Sequence, residues 1–301
     1  MVIMGERMTR LSCAWLTTVV LVGPFLTEVA VAGDNGVIFR LVATGDCATA
    51  SPERVCLSAP LVSGAPTSAL DVLRDIYPGL DANGIGHQFA GAEAVETASD
   101  PDAGTPDDRE VGIATGDFAN IAVIEAGNKA FAAAVSSGVV TVAEVKPAYR
   151  PLGRLLVATD PGGPTVGYRL LLAAPDSPVA LTLSSHFNSQ EGFDVLHLTG
   201  VVGGELIDLY DGPYLYSLAE ATEHCQLLDH REVISAIKTQ PQSHHGLADI
   251  GVVIDYAATC INGETRRQLE AKSFPLRLTY DGARYDGDAS ALGDLNSGLM
   301  E

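Results

Sequence analysis

Short apolar runs separated by turn residues follow one another through the middle of this 301-residue chain. They cover residues 121–124, 139–142, 154–157, 168–172 and 179–183. The breaks between them are rich in Gly, Asn, Pro and Asp, and runs of this length and spacing are typical of consecutive antiparallel strands. An earlier run over residues 37–42, rich in β-branched and aromatic side chains, predicts a further strand. We therefore expect a sandwich-, barrel- or propeller-like stack of sheets.

The clearest strand signals come later in the chain. Residues 195–202 and 206–210 flank Gly203-Gly204, which predicts a hairpin. Residues 250–256 and 274–280 alternate apolar side chains with polar or small ones. Each of these strands should cover a core with one face and meet water with the other.

Three short helices are predicted from capping patterns. Ser68 stands three residues before Asp71, and apolar side chains recur at helical spacing up to Pro78. The two later capping pairs are Ser217 with Glu220 and Asp229 with Glu232. From Asp286 onward the tail is small and polar and is expected to fray. The predicted fold class is β-rich α+β, with mainly antiparallel sheets and a few short helices.

The first 32 residues have the three-part order of a secretory signal peptide. Arg7 and Arg10 precede an apolar run over residues 11–26, and Ala30-Val31-Ala32 follows it. An uncleaved membrane anchor is the competing interpretation, but Pro24 interrupts the run, and spanning a bilayer takes about 20 apolar residues. We predict cleavage after Ala32, a periplasmic or secreted location, and no stable membrane insertion after cleavage.

Residues 99–116 differ in composition from the rest of the chain. Asp and Glu are set among Pro and Gly, which predicts a solvated loop or linker. The spacing of Asp100, Asp102 and Gly104 also fits calcium binding, but Pro101 and the lack of a terminal Glu break the EF-hand pattern. This loop separates a β-rich segment with one helix, residues 33–98, from a β-rich body with two late helices, residues 117–301.

The charge of the chain narrows the choice of partners. The 18 Lys and Arg residues against 38 Asp and Glu give a net charge of −20. Nucleic acids and anionic lipid surfaces are bound through Lys and Arg, so nucleic acid is excluded as an expected partner. The charge either keeps an exported protein in solution or favours divalent or basic ligands.

Four cysteines remain after Cys13 leaves with the signal peptide. They are Cys47, Cys56, Cys225 and Cys260. An even number in an exported protein predicts two disulfides. We favour the pairs Cys47–Cys56 and Cys225–Cys260, because each closes a local loop. Zinc bound through the thiols is the alternative, but no C-x-x-C pair occurs.

Common catalytic motifs are missing from the sequence, including the G-x-S-x-G elbow, the H-E-x-x-H helix and the phosphate loop. The densest polar cluster contains four histidines near Glu223 and Asp229. They are His224, His230, His244 and His245. Scattered surface positions are one interpretation, and a histidine-carboxylate site for a divalent metal, or acid-base catalysis, is the other.

Two further groups carry candidate chemistry. The first has serine, histidine and aspartate on neighbouring strands, which would allow a nucleophilic grouping. Its members are Ser184, Ser185, His186, Asp194 and His197. The second group, Tyr210, Tyr214 and Tyr216, forms either an aromatic patch or the packing at a hairpin end.

Two functional hypotheses follow from these features. The first, which we favour, is an exported non-catalytic protein that binds a small molecule or a protein partner, without a cofactor, through a disulfide-pinned sheet. The second is an exported hydrolase or metal-dependent enzyme that uses His224, His230, His244 and His245.

Overall fold

The computed structural model describes the chain in nine segments. These are residues 37–42, 54–77, 79–82, 85–87, 110–112, 120–136, 139–157, 165–187 and 191–299. All of them fall within one structural unit. The predicted signal peptide, Cys47 and the calcium-like pattern at residues 100–104 lie outside the described residues, as does most of the predicted acidic loop.

A six-stranded sheet is built from the first part of the described chain. Its strands are β1 (Val37–Val42), β2 (Arg54–Cys56), β5 (Asn120–Ala126), β6 (Lys129–Ser136), β7 (Val139–Lys146) and β8 (Arg150–Leu156). They lie in the order β2-β1-β5-β6-β7-β8, with β1 and β2 parallel and every other pair antiparallel. A separate hairpin-like pair joins β3 (Ile85–His87) to β4 (Glu110–Gly112).

An eight-stranded antiparallel sheet follows, in which each strand pairs with the one before it. Its strands are β9 (Thr165–Ala174), β10 (Ser177–Phe187), β11 (Glu191–Val202), β12 (Glu205–Glu220), β13 (Leu227–His244), β14 (Leu247–Asn262), β15 (Thr265–Tyr280) and β16 (Tyr285–Asp286). The predicted hairpin around Gly203-Gly204 is β11–β12, and the two predicted alternating strands lie within β14 and β15. These sheets confirm the β-rich α+β fold class.

Three apolar clusters hold the layers together. The first packs α1 (Ala69–Leu73) and its flanking loops on one face of the six-stranded sheet. The second joins the other face of that sheet to Leu170, Ala180 and Val201 of the eight-stranded sheet. The third covers the opposite face of the eight-stranded sheet, which is called its inner face below. Residues 139–145 of β7 are buried without a break, because both faces of this strand are covered.

The helix predicted at Ser68 is confirmed. The Ser68 hydroxyl accepts the backbone N–H of Asp71, and the Asp71 carboxylate accepts the backbone N–H of Ser68. This reciprocal capping box fixes the start of α1, and Leu70, Leu73 and Tyr77 are buried against the sheet.

The two late helices predicted at Ser217 and Asp229 are wrong. Both positions lie in strands, β12 and β13, and the Ser217 hydroxyl donates to the Gly192 carbonyl instead of capping a helix. β13 forms an antiparallel ladder with β14 along most of its length. These long-range hydrogen bonds override the local capping pattern, since β-branched Val233, Ile234 and Thr239 favour a strand.

The prediction of a fraying tail after Asp286 is also wrong. Residues Ser290–Leu299 form helix α2, whose Leu292 and Leu295 pack on the apolar inner face of the eight-stranded sheet. Neither of the described helices, α1 and α2, is long and apolar enough to cross a membrane.

Cys225 and Cys260 form a disulfide, as predicted. The bond ties the loop between β12 and β13 to the end of β14, with the Cα atoms 5.4 Å apart. Cys56 is disulfide-bonded as well, and its predicted partner Cys47 lies outside the described residues. Such bonds are characteristic of proteins that fold in an oxidising compartment.

Candidate functional site

The four histidines of the predicted metal site do not come together. His230 lies near the start of β13, whereas His244 ends the same strand, and the fourteen residues between these positions correspond to about 46 Å of extended chain at about 3.3 Å each. His224 lies in the loop before β13, and His245 lies in the turn after it. Within the described segments, no group of three or more His, Cys, Asp or Glu side chains is arranged to hold a metal ion.

His230 and His244 have separate local roles. His230 Nδ1 lies 2.8 Å from the Tyr256 hydroxyl on β14. His244 Nδ1 lies 2.7 Å from Oδ1 of Asp249, which is fully buried. Arg277 donates from Nε to the other oxygen of Asp249 at 2.8 Å. These contacts pair the ends of β13, β14 and β15 with one another.

The strands β10, β11 and β12 bring a serine, a histidine and an aspartate into line. The Ser184 hydroxyl lies 2.8 Å from Nε2 of His197, and Nδ1 of His197 lies 3.5 Å from Oδ1 of Asp211. In the strand register, His197 lies directly opposite Thr182 on β10 and Asp211 on β12. Ser184, two residues from Thr182, therefore shares its face of the sheet.

The environment of this row keeps the imidazole neutral. Burial lowers the pKa of His197, and the negative charges of Asp211 and Asp208 oppose that shift only in part. A neutral ring has one donor and one acceptor nitrogen, so we assign the proton to Nδ1, beside Asp211, and the lone pair to Nε2, which accepts the Ser184 O–H. Ser184 is fully buried and His197 is 7% exposed.

Beside this row lies a group of aromatic rings, called the aromatic surface below. It consists of His186, Phe193, Tyr214 and Tyr216. The Phe193 ring stacks on His186 with the centroids 4.7 Å apart and meets the Tyr214 ring edge-on at 5.4 Å. Tyr216 is tilted against Phe193 at 5.9 Å. Phe193 therefore contacts all three of the other rings, and its stacked and edge-on contacts are arrangements that aromatic pairs prefer.

The strand register explains why the rings meet. Phe193 lies opposite His186 on one side and Tyr216 on the other, and Tyr214 lies opposite Val195. Side chains directly opposite across an antiparallel pair lie close enough for such aromatic contacts. Tyr214 remains 54% exposed, so the aromatic surface is open at that ring.

Acidic side chains border the aromatic surface. Glu191 stands two residues before Phe193 on β11 and shares its face of the sheet, and Asp211 opposes His197 on the same face. The Asp211 side chain is 57% exposed. Aromatic faces and carboxylates both attract positive charge, so the electrostatics of this surface favour cations.

The second serine and aspartate of the predicted grouping face the opposite way. The Ser185 hydroxyl donates to Asp194 at 2.5 Å, and both residues alternate with Ser184 and Val195 along their strands. Burial raises the pKa of Asp194, although the Ser185 hydrogen bond opposes the shift. Asp194 therefore does not belong to the row of Ser184 and His197.

Tyr210 also lies away from the aromatic surface, in the core on the inner face of the sheet. The sequence identified Tyr214, Tyr216, Ser184 and His197, but it did not reveal Phe193 or the contact of Asp211 with His197. The alternation of Phe193, Val195 and His197 on one strand face is the signal that could have found the first of these. A shift of register on β12 between His197 and Val195 hides the second.

Comparison with known proteins leaves the site to be interpreted from its own chemistry, since no family model, curated protein or solved structure matches the chain.

Proposed function

We propose that the protein is an exported, non-catalytic binding module that captures a cationic ligand on the aromatic surface of β10–β12. One observation carries the proposal: the half-exposed Tyr214 ring meets Phe193 edge-on, and Asp211, whose carboxylate is exposed, stands three residues earlier on the same strand. A cation above such rings gains from their quadrupoles and from the nearby charge. Lysine- or arginine-rich peptides and organic ammonium ions are the ligand classes with this chemistry.

The charge of the whole chain supports the same choice of ligand. A net charge of −20 attracts cationic ligands over distances set by the ionic strength and raises their rate of encounter. The charge alone would bind basic ligands without a defined site. The aromatic surface supplies the defined site, because the rings act only at short range.

Export is part of this proposal. The signal-like residues 1–32 and the Cys225–Cys260 disulfide both fit an oxidising compartment. Protein recovered from the periplasm or medium of a secreting host should begin at Gly33 by amino-terminal sequencing. An intact amino terminus on protein confined to the cytosol would remove this part of the proposal.

Calorimetric titration with an oligoarginine peptide tests the binding site, with an oligoglutamate peptide as the control for charge. Tyr214→Leu keeps an apolar side chain and removes the ring, so binding should weaken about two- to fivefold, the loss of one exposed cation–π contact. Leu156→Ala, at another exposed apolar position, should bind as the wild type does. Equal affinities of the wild type and Tyr214→Leu would leave only non-specific charge attraction and overturn the proposal.

A second candidate function rests on the row of Ser184, His197 and Asp211. The order of contacts, hydroxyl to Nε2 and Nδ1 to carboxylate, is the one that activates a serine nucleophile in acyl transfer. The full burial of Ser184 opposes it, because an acyl carbonyl must reach the hydroxyl oxygen. Labelling of the wild type by a fluorophosphonate, abolished in Ser184→Ala, would establish this function in place of the first.

A further inference from the structure

The strands β12 and β13 separate after a short stretch of pairing. They are paired only where Ser217–Glu220 meets Leu228–Arg231. Continuing the same register would pair Tyr216 with Glu232, but the two strands diverge at that point. The opening between them, called the split below, leaves backbone groups of β12 without partners in the ladder.

In the split, side chains form hydrogen bonds to the β12 backbone in place of the missing strand pairing. The carboxylate of Glu232 accepts the Tyr216 backbone N–H through Oε2 at 2.8 Å. Asn296 of α2 donates from Nδ2 to the Tyr214 carbonyl at 3.2 Å. Helix α2 thus closes the split, with Leu292 buried in the core behind it.

Two oxygens in the split are left without donors. Glu232 is 4% exposed and Asn296 is 6% exposed, and neither Oε1 of Glu232 nor Oδ1 of Asn296 receives a hydrogen bond. The amide nitrogen of Asn296 is committed to Tyr214. Turning the amide over would set its oxygen against the Tyr214 carbonyl, which is also an acceptor. A buried acceptor without a donor costs about 1 to 3 kcal/mol.

A proton on Glu232 supplies the missing donor. We propose that Glu232 is a neutral acid in the folded protein and that its Oε1–H donates to Asn296, forming a pH-sensitive latch that holds α2 in the split. With this proton in place, Oε2 still accepts the Tyr216 N–H, Nδ2 still reaches Tyr214, and Oδ1 gains a partner. Loss of the proton leaves a buried charge beside an unpaired oxygen, which favours release of α2.

The surroundings of Glu232 fit a neutral acid. Burial raises its pKa to about 7, and the hydrogen bond from Tyr216 and the nearby amide of Asn296 offset only part of that shift. The titratable and charged groups on the neighbouring strands are His230 on β13, Tyr256 directly opposite on β14, Glu220 on β12, and Glu270 paired with Lys272 on β15. Helix α2 adds only Asp294, which is exposed.

The direction of the pH effect follows from linkage. The carboxyl binds its proton more tightly in the folded chain, with a pKa of about 7, than at its ordinary value of 4.5. Its contribution to stability is therefore fully present below pH 4.5 and is lost as the pH rises to about 7. Between pH 5 and 8 the folding equilibrium constant should fall on the order of 50- to 100-fold through this group.

The latch also bears on ligand binding, a consequence that rests on the proposed function. Tyr214 and Tyr216 are held through their backbone by Asn296 and Glu232, and their rings belong to the aromatic surface. Release of α2 removes the Asn296 bond, which is one of the two bonds that fix this part of β12. Affinity for a cationic ligand should therefore decrease as the pH rises through 7.

The test uses Glu232→Gln in the full chain. The Gln side chain keeps the shape of the protonated acid and carries its own N–H donor, so the latch should stay closed at every pH. Carbon NMR of protein labelled at the glutamate carboxyl should show one resonance that titrates near pH 7 in the wild type and is missing in Glu232→Gln. Titration of every glutamate below pH 5 would overturn the latch.

Unfolding in urea and hydrogen exchange provide the second measurement. Between pH 5 and 8 the wild type should lose stability relative to Glu232→Gln by the factor given above, and the peptide covering α2 should exchange faster than in the variant at pH 8. Glu270→Gln, at an exposed glutamate on β15, is the matched control and should keep the wild-type pH dependence. Parallel stability curves for the wild type and Glu232→Gln would also overturn the latch.

The two proposals fail in different ways. A protein in which Glu232 titrates near pH 7 but that binds no oligoarginine peptide keeps the latch and loses the proposed function. A protein that binds the peptide, while Glu232 titrates as an ordinary acid, keeps the function and loses the latch.

Discussion

The Ser184 hydroxyl lies 2.8 Å from Nε2 of His197 in a fully buried position between β10 and β11. The bond satisfies two polar groups that would otherwise be buried without partners. It therefore contributes to folding, whatever the protein binds.

Ser184→Ala should destabilise the protein by about 1 to 3 kcal/mol, because it leaves the His197 nitrogen buried and unpaired. Urea unfolding at neutral pH measures the change. Ser243→Ala, at an exposed position on β13, should leave stability within about 0.5 kcal/mol of the wild type. Equal stabilities of the two variants would show that the Ser184 bond is not formed in solution.

Asp249 should make the protein sensitive to acid. Burial acts to raise the pKa of this carboxyl, but the hydrogen bonds and charges of His244 and Arg277 outweigh it and lower the pKa below 3.8. The stability that it contributes is present above pH 3.8 and is lost as the pH falls toward the lower, folded-state value.

Asp249→Asn should cost about 2 kcal/mol or more at neutral pH, because a hydrogen bond to a charged group is stronger than a neutral one. It should also flatten the acid limb of a plot of unfolding free energy against pH. Asp255→Asn, whose carboxylate accepts the Ser273 hydroxyl in an exposed hydrogen bond, is the control. An unchanged acid limb in Asp249→Asn would contradict the assignment.

Reduction of Cys225–Cys260 should destabilise the chain. The two residues are 35 positions apart, and closing a loop of that length removes about 4 kcal/mol of entropy from the unfolded state. The double variant Cys225→Ser, Cys260→Ser measures this cost by urea unfolding while Cys56 stays oxidised. Mass spectrometry of a digest before and after reduction should show the two peptides linked, and separate peptides without reductant would refute the pairing.

Gly153 on β8 lies close to Leu206 on β12, where the two sheets pack against each other. A Cβ atom at this position would lie 2.6 Å from Cβ of Leu206, and the backbone has φ of +148°. Gly153→Ala should therefore force β8 and β12 apart and cost about 1 to 3 kcal/mol. Gly293→Ala in α2 meets no atom within 4 Å and should stabilise the protein slightly. Thermal unfolding distinguishes the two, and a neutral Gly153→Ala would show that the sheets pack less closely.

The parts of the fold that depend on local chemistry were predictable from the sequence. The capping box of Ser68 and Asp71 forms within four residues, and Gly203-Gly204 fixes its hairpin by its own geometry. The pattern at Ser217 and Glu220 has the same spacing of a serine and an acidic residue, but its backbone pairs with β11 and β13. A pattern of four residues carries no information about strands that pair with it from other parts of the chain.

The candidate site was predictable only where it follows neighbouring strands. Ser184 and His197 were placed together because β10 and β11 form one hairpin. The position of Asp211 opposite His197 depends on a bulge in β12. Glu232 gains its role from Asn296 of α2, a helix that the small and polar residues of the tail do not predict. Such contacts arise from packing between distant segments, which the pattern of a single strand does not encode.

The sequential order of the eight-stranded sheet bears on how the chain can reach its folded state. Each strand from β10 to β16 pairs with its immediate predecessor in the chain. Pairing two strands that follow each other in the chain closes only a short loop. Such local contacts form faster than contacts between distant segments. A polypeptide delivered amino end first could therefore add one hairpin arm at a time, and α2 would seal the structure as the final event.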